Sequence, residues 1–253
     1  MSLSGAIQHQ VSDYDKTYEM AINITIHVKD GIVMASDSRL VKQITSSNLA
    51  SESKNQSLVF LDSAVNLLLI HDRIGIGKCG EPIVRGILVE DHLKQILTEK
   101  FETNADETGF VAESILRFFR KFQPYPEITF HIAGYSRNST QQIWRVDIPS
   151  NSISQSNAAD RPGLIFDGEA DAVLRLTYPL GRLDEQKRFQ AIPHFGFAWP
   201  NYTVQDAINL ATFLVQTQTN LVQFQSRLKS IGGPIDVLVI QPDKAFWAQK
   251  KAI

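Results

Sequence analysis

Residues 21–39 read AINITIHVKDGIVMASDSR and carry the clearest structural signal in this 253-residue chain. Apolar and polar residues alternate from Ile22 to Val28, a period of two that predicts a half-buried β-strand. Asp30-Gly31 follows, and this dipeptide is typical of the tight turn that joins two antiparallel strands. Residues 32–36 (IVMAS) supply the apolar return strand. The sequence therefore predicts that the folded domain opens with a β-hairpin.

The remaining pattern predicts strands and helices in an α+β order, without alternation of strands and helices along the chain. Further strands are predicted at residues 58–61, 67–76, 128–135, 141–147, 164–167 and 235–240. Helices are predicted at residues 81–100, 111–122, 170–178 and after Thr203, an N-cap with Asp206 at the third helical position. Residues 42–57 are polar and predict a loop. We expect one domain over residues 20–253, preceded by an extension over residues 1–19.

Composition excludes several classes of function. The net charge of −2 provides no basic field for a nucleic-acid backbone, so no nucleic-acid partner is expected. No apolar run approaches the roughly 20 residues of a membrane span, and no signal peptide is evident. The single cysteine cannot form an internal disulfide, which fits the cytoplasm. The six histidines show no metal-ligand spacing, and neither a metal nor another cofactor is expected.

Three short motifs resemble those of proteasome β-type subunits, including bacterial proteasome-like members of the N-terminal-nucleophile (Ntn) hydrolases. They are residues 35–39 (ASDSR), residues 132–135 (IAGY) followed by 143–147 (IWRVD), and residues 232–237 (GGPIDV). They follow the family order across residues 20–243. The resemblance implies a four-layer αββα sandwich of two antiparallel sheets, self-association into a ring or barrel, and a peptide or protein substrate.

The resemblance also implies hydrolysis by a nucleophilic hydroxyl group, which this chain lacks at the corresponding position. In the family, the side-chain hydroxyl of the first mature residue attacks the substrate, and the free α-amino group of that residue acts as the base. Counting back from Asp37 by the family interval places this residue at Ala21, which has no hydroxyl. Residues through Met20 would hold the amine of Ala21 in an amide bond. We therefore expect no peptidase activity from the sequence as written.

Other site positions follow from the same resemblance. Asp37 and Lys54 fall where a carboxylate and a lysine flank the nucleophile, although a turn-capping aspartate and a solvated lysine are alternative interpretations. Gly80 would donate a backbone N–H to an oxyanion, or would only introduce the next helix. Asp167-Gly168 falls at a second glycine turn, with aspartate where the family has serine.

Two neighbours of Gly80 have weaker functional interpretations. Lys78 would line the substrate pocket and favour an acidic side chain, although a surface lysine is the simpler interpretation. Cys79 is either a reactive thiol or, more commonly, a small buried residue.

Two hypotheses remain open from the sequence. The first is a threonine-type peptidase or amidohydrolase in which residue 21 was changed to alanine, with a processing junction at Met20-Ala21. The second is a natural pseudoenzyme that forms rings as a structural subunit. Three positions depart from the family pattern and favour the second hypothesis: Met20, Asp167 and Phe195, which stands where the family has an aspartate ahead of the long helix. Residues 37–39 and Lys54 favour the first.

Overall fold

The computed structural model describes residues 21–47, 54–100, 108–157 and 161–252, so the expected N-terminal extension lies outside the described residues. The described residues contain four helices: α1 (Val89–Lys100), α2 (Thr108–Phe119), α3 (Asp171–Thr177) and α4 (Val204–Phe224). They also contain sixteen strands: β1 (Ile22–Val28), β2 (Gly31–Ser36), β3 (Leu40–Ser47), β4 (Lys54–Leu61), β5 (Leu67–Ile70), β6 (Ile74–Gly80), β7 (Ile83–Val84), β8 (Ile87–Leu88), β9 (Ile128–Tyr135), β10 (Gln141–Asp147), β11 (Ser152–Gln155), β12 (Gly163–Gly168), β13 (Gly181–Leu183), β14 (Phe189–Ala191), β15 (Asp236–Ile240) and β16 (Ala245–Gln249).

Two five-stranded antiparallel sheets form the centre of the molecule. The first has the order β12-β1-β2-β15-β16, and the second has the order β11-β10-β9-β6-β5. The opening hairpin predicted from residues 21–39 is confirmed, because β1 pairs with β2 from Asn23 opposite Ser36 to Val28 opposite Gly31. The predicted mixed α and β content with antiparallel sheets is also confirmed.

Apolar side chains divide the interior into three clusters. One joins α3 and α4 to the first sheet through residues such as Ile24 and Leu214, and another joins α1 and α2 to the second sheet through residues such as Leu93 and Phe130. The third contains Met34 of the first sheet and other residues from both sheets, so the two sheets face each other. Complete burial of one large apolar side chain, such as leucine or phenylalanine, stabilises the folded state by about 2 kcal/mol.

Several boundaries differ from those predicted. Residues 42–57 were expected to be a loop, but β3 and β4 form a hairpin that pairs Leu40 with Leu61 and Ser47 with Lys54. That prediction is wrong because backbone pairing in a hairpin outside the main sheets does not require apolar side chains. The single strand expected at residues 67–76 is two strands, since His71 and Asp72 adopt positive φ between them.

The first helix begins later than expected, at Val89, because residues 83–88 form the short β7–β8 hairpin. Strands β11, β13, β14 and β16 had no predicted counterpart. The N-cap prediction for α4 is confirmed: Thr203 Oγ1 accepts from Asp206 N at 3.2 Å, and an Asp206 carboxylate oxygen accepts from Thr203 N at 2.9 Å. No helix in the described ranges is long and apolar enough to cross a bilayer.

Candidate functional site

Ala21 lies immediately before β1, on the wall of a small cleft. Its side chain is 3% exposed, and its φ of 74° lies in the left-handed region. Its carbonyl oxygen accepts a hydrogen bond from Glu169 N at 3.1 Å. The cleft has a volume of only about 10 Å³, about enough for one water molecule. Asn66, Lys78 and Gly80 also line it. The structure thus brings the position that the resemblance assigns to the nucleophile together with polar side chains from β6 and the loop before β5.

Asp37 is fully buried and connects three separate segments of backbone. Its Oδ1 accepts from Ile22 N at 3.1 Å, and its Oδ2 accepts from Arg39 N at 3.2 Å and from Gly232 N at 2.8 Å. Burial raises the pKa of Asp37 to about 6, although the three backbone hydrogen bonds and the charge of Arg39 act in the opposite direction. Asp37 therefore fixes the backbone next to Ala21 whether or not any chemistry occurs there.

Lys78 is the lysine that the described structure places at this cleft. It is 4% exposed, and its Nζ donates to Asn66 Oδ1 at 3.2 Å and lies 3.5 Å from Glu90 Oε2. Asn66 Nδ2 in turn donates to the Asp37 carbonyl oxygen at 2.9 Å. Burial lowers the pKa of Lys78, while the Glu90 carboxylate opposes that change. Interpretation of Lys78 as a surface lysine is therefore wrong.

Lys54 occupies a different place. Its backbone begins β4 opposite Ser47, at the end of the hairpin remote from Leu40. Seven positions of extended strand separate Ser47 from Leu40, about 23 Å of chain. This position along the hairpin gives no support to placing Lys54 beside Asp37, so its role there stays a prediction.

Two glycines shape the walls around Ala21. Gly80 and Gly168 have φ values of 105° and 86°, a region that favours glycine. A Cβ at Gly80 would lie 1.9 Å from the Glu127 carbonyl oxygen, and one at Gly168 would lie 2.3 Å from the Ala21 carbonyl oxygen. Both positions therefore require glycine for close backbone approach, and Gly168 is brought directly against Ala21.

Asp167 faces a second, wider cleft of about 450 Å³ that shares Cys79 and Gly80 with the small one. Arg145 donates two hydrogen bonds to the Asp167 carboxylate, at 2.8 and 2.7 Å, and His131 Nε2 lies 2.8 Å from Asp167 Oδ2. Burial raises the pKa of Asp167, but hydrogen bonds from His131 and Arg145 outweigh burial and hold it below the usual range. Asp167 is thus an ionised member of a charged network.

That network continues into the space between the sheets. The ring of His131 is fully buried, and its Nδ1 lies 2.9 Å from Thr25 Oγ1 of β1. Four of these residues were not predicted from the sequence as site residues: His131, Arg145, Asn66 and Glu90. Arg145 lies inside the motif at residues 143–147, which was the one available signal. The others required knowledge of strand pairing.

Cys79 is buried between the two clefts, with its Sγ 3.8 Å from the Thr129 carbonyl oxygen. This environment fits the expectation of a small buried residue. Within the described ranges, no group of three or more histidine, cysteine, aspartate or glutamate side chains is arranged to hold a metal ion.

The chemistry available at this site is limited by residue 21. A methyl group has no lone pair to attack a carbonyl carbon, so no covalent intermediate can form there. Comparison with known proteins adds no relative: no protein-family model matches the chain, and neither does any curated protein.

Proposed function

We propose that this chain is a proteasome-subunit-like protein with the four-layer αββα Ntn-hydrolase fold, and that it is catalytically silent as written because Ala21 occupies the nucleophile position. The observation that carries the proposal is the environment of Ala21. Ala21 lies immediately before β1, lies against the Gly168 turn and shares a cleft with Lys78 and Gly80. Asp37 holds the next residue, Ile22, by a backbone hydrogen bond.

A hydroxyl at residue 21 with a free α-amine would make this cleft a site for amide hydrolysis. The amine would take the hydroxyl proton while Oγ attacked the carbonyl carbon of a peptide bond, and the leaving amine would receive that proton. Water would then hydrolyse the resulting ester and regenerate the hydroxyl. The backbone at Gly80 is suited to stabilise the oxyanion, since its positive φ turns the chain at the cleft wall.

In this proposal Lys78, rather than Lys54, supplies the cation beside the nucleophile. Lys78 lines the cleft and is connected to Asp37 through the Asn66 amide. An ammonium ion in this buried cleft would favour the ionised form of a hydroxyl or thiol at residue 21.

A second candidate, a non-catalytic structural subunit that assembles into a ring, is favoured by one specific observation. Asp167 stands where the resemblance implies serine, and its carboxylate is already engaged by Arg145 and His131. A side chain held in this way has little freedom to take part in proton transfer.

The experiment that separates these candidates compares the chain as written with its Ala21→Thr variant by intact mass. Each protein is then treated with an electrophilic probe selective for N-terminal threonine. Loss of residues 1–20 together with probe attachment in the threonine variant is the result expected for a competent but silenced site. A correctly folded threonine variant that stays uncleaved and unlabelled would contradict the enzyme hypothesis and leave the structural subunit.

The role of Lys78 is tested in the same Ala21→Thr background. Lys78→Met, made together with Glu90→Gln so that no unpaired carboxylate is buried, should abolish processing and labelling. The matched variant Lys54→Met should process normally. Equal loss of activity in both variants would contradict the assignment of the cation to Lys78.

A further inference from the structure

A further cleft lies at the end of β1 that is remote from Ala21. Val28 and Lys29 line it where the opening hairpin turns, and Tyr135 and Gln141 line it from the second sheet. Seven positions of extended strand, about 23 Å, separate Ala21 from Val28. The cleft has a volume of about 460 Å³, within the range of roughly 300–1,000 Å³ that is typical of sites for small molecules.

The lysine and arginine side chains that line this cleft give it a net positive charge. Lys29 lines it from the hairpin turn and Arg161 from the segment before β12, and both residues are exposed. Neither side chain forms an ion pair with another residue of the described ranges. No aspartate or glutamate in the part of the chain that the structure describes lines the cleft. A concave surface with this charge attracts anions.

A phenol hydroxyl in the cleft is held in position by Gln141. Gln141 Nε2 donates to the Val28 carbonyl oxygen at 2.7 Å and to the Tyr135 hydroxyl oxygen at 3.1 Å. Because the Tyr135 oxygen accepts this hydrogen bond, the hydroxyl proton of Tyr135 is available to a second partner, such as an anionic oxygen. The hydroxyl groups of Ser139 and Thr140 line the same cleft. The cleft therefore offers hydrogen-bond donors as well as positive charge.

The backbone of Arg161 is attached to the first sheet through His27. His27 Nε2 lies 2.6 Å from the Arg161 carbonyl oxygen, and the ring must donate here because a carbonyl oxygen can only accept. This contact fixes the point from which the Arg161 side chain extends. Three proline rings, those of Pro162, Pro200 and Pro242, also line the cleft and give it rigid apolar surface.

We propose that this cleft binds a small organic anion, a carboxylate or a phosphate ester carried on an apolar body. The anionic oxygens bind Lys29, Arg161 and the Tyr135 hydroxyl, since charge-assisted hydrogen bonds are roughly twice as strong as neutral ones. The apolar body packs against the proline rings. This site is separate from the cleft at Ala21, so the proposal does not depend on the proposed function.

One carboxylate near the cleft opposes an anion and provides a sharp test. Burial raises the pKa of Tyr135 and the charge of Asp30 adds to this increase, whereas the hydrogen bond from Gln141 opposes it. The charge of Asp30 therefore acts at the Tyr135 hydroxyl. Asp30→Asn removes this charge and keeps the tight turn, because Asn-Gly is as typical of such turns as Asp-Gly.

Isothermal titration calorimetry of the chain as written measures the binding of three probes that share one apolar body: naphthoate, naphthyl phosphate and neutral naphthamide. Both anions should bind at least about 10-fold more tightly than naphthamide, because only they form charge-assisted hydrogen bonds with the two cations. The anion that binds more tightly identifies the preferred charged group as carboxylate or phosphate.

Matched variants locate the binding. Lys29→Gln/Arg161→Gln should weaken binding of both anions at least about 10-fold. Arg120→Gln/Lys121→Gln removes the same charge from two exposed residues that follow α2, and it should leave binding unchanged. Asp30→Asn should tighten binding about 2- to 3-fold, the size of a screened surface interaction. A gain of affinity cannot result from misfolding, so this variant keeps the test decisive.

Three results would overturn the proposal. The first is that neither anion binds measurably, and the second is that naphthamide binds as tightly as the anions. The third is an equal loss of affinity in the two double variants, because anions would then be attracted by the net charge of the protein and not by this cleft.

Discussion

At the scale of single residues, the raised pKa of Asp37 makes the stability of the fold depend on pH. Its native pKa of about 6 exceeds the ordinary value of 3.8, so the folded state binds this proton more tightly than the unfolded state. The stabilisation is therefore complete below about pH 4 and is lost as the pH rises through about 6. We expect the free energy of unfolding to fall by about 3 kcal/mol over this interval from Asp37 alone.

A carboxyl-carbon NMR titration, with urea unfolding at matched pH values, measures this effect. The Asp37→Asn variant identifies the signal and should show a shallower dependence of stability on pH between 4 and 6. An Asp37 titration midpoint at the ordinary aspartate value would contradict the expected burial effect.

Lys78 and Glu90 form the second residue-scale test, because both side chains are buried and lie 3.5 Å apart. Lys78→Met should destabilise the fold by about 3 kcal/mol because it leaves the Glu90 carboxylate buried without its cation. Lys78→Met/Glu90→Gln should recover most of that loss. Urea unfolding of the two variants measures the difference.

Lys94 provides the control for this pair, since its ion pair with Asp91 is exposed. Lys94→Met should change stability by no more than about 0.5 kcal/mol. If Lys78→Met were as mild as Lys94→Met, the buried pair would contribute nothing to stability.

Residue positions in the candidate site were predictable only where a motif fixed them. Ala21, Asp37 and Gly168 lie close together because the opening hairpin and its pairing with β12 set their distances. Lys54 could not be placed from sequence, since no pattern within residues 42–57 revealed the β3–β4 hairpin. Asn66 and Lys78 meet through pairing of distant segments, which a local pattern does not encode.

At the scale of elements, the turns that end β6 and β12 depend on glycine, and Gly168 allows a controlled test. Gly168 and Gly86 share a similar φ, 86° and 82°, but a Cβ at Gly86 would meet nothing within 4 Å. Gly86→Ala should therefore cost only the strain of the left-handed backbone, about 1 kcal/mol. Gly168→Ala should cost at least about 3 kcal/mol, because its Cβ would also overlap the Ala21 carbonyl oxygen.

Thermal and urea unfolding of the two alanine variants measures that difference. In the Ala21→Thr background, Gly168→Ala should also prevent processing, because the start of β1 would move. Equal destabilisation by the two substitutions would show that the contact with Ala21 relaxes easily.

Helices and strands with a clear apolar periodicity or an N-cap motif were predicted from the sequence. Elements that lack both signals were not predicted. Helix α4 was found through Thr203 and Asp206, and β9 and β10 through their apolar residues. Strands β13 and β14 went unrecognised because three-residue strands are too short to show a period. The β7–β8 hairpin was merged into a helix because its apolar residues fall at helical spacing by coincidence.

At the scale of the whole molecule, the order of strands and helices along the chain predicted the class of architecture. It did not predict where clefts and exposed apolar segments lie. Alternating strands followed by amphipathic helices are sufficient to predict antiparallel sheets covered by helices. The two clefts that meet at Cys79 and Gly80 arise where β6 and β12 end and β9 begins, and this depends on strand order within the sheets. The exposure of the β13–β14 hairpin likewise became evident only from the structure.

The hydrogen bond from Gly232 N to Asp37 Oδ2 joins residues 195 positions apart in the chain. It therefore cannot form until late in synthesis of the polypeptide. A ribosome makes Asp37 early but exposes Gly232 only after most of the polypeptide has emerged, and translation proceeds at roughly 5–20 residues per second. The opening hairpin can form in the meantime, yet its carboxylate lacks one of its three donors for many seconds. Any event that requires the finished cleft, such as the processing proposed for the Ala21→Thr variant, must therefore follow release of the C-terminal part of the chain from the ribosome.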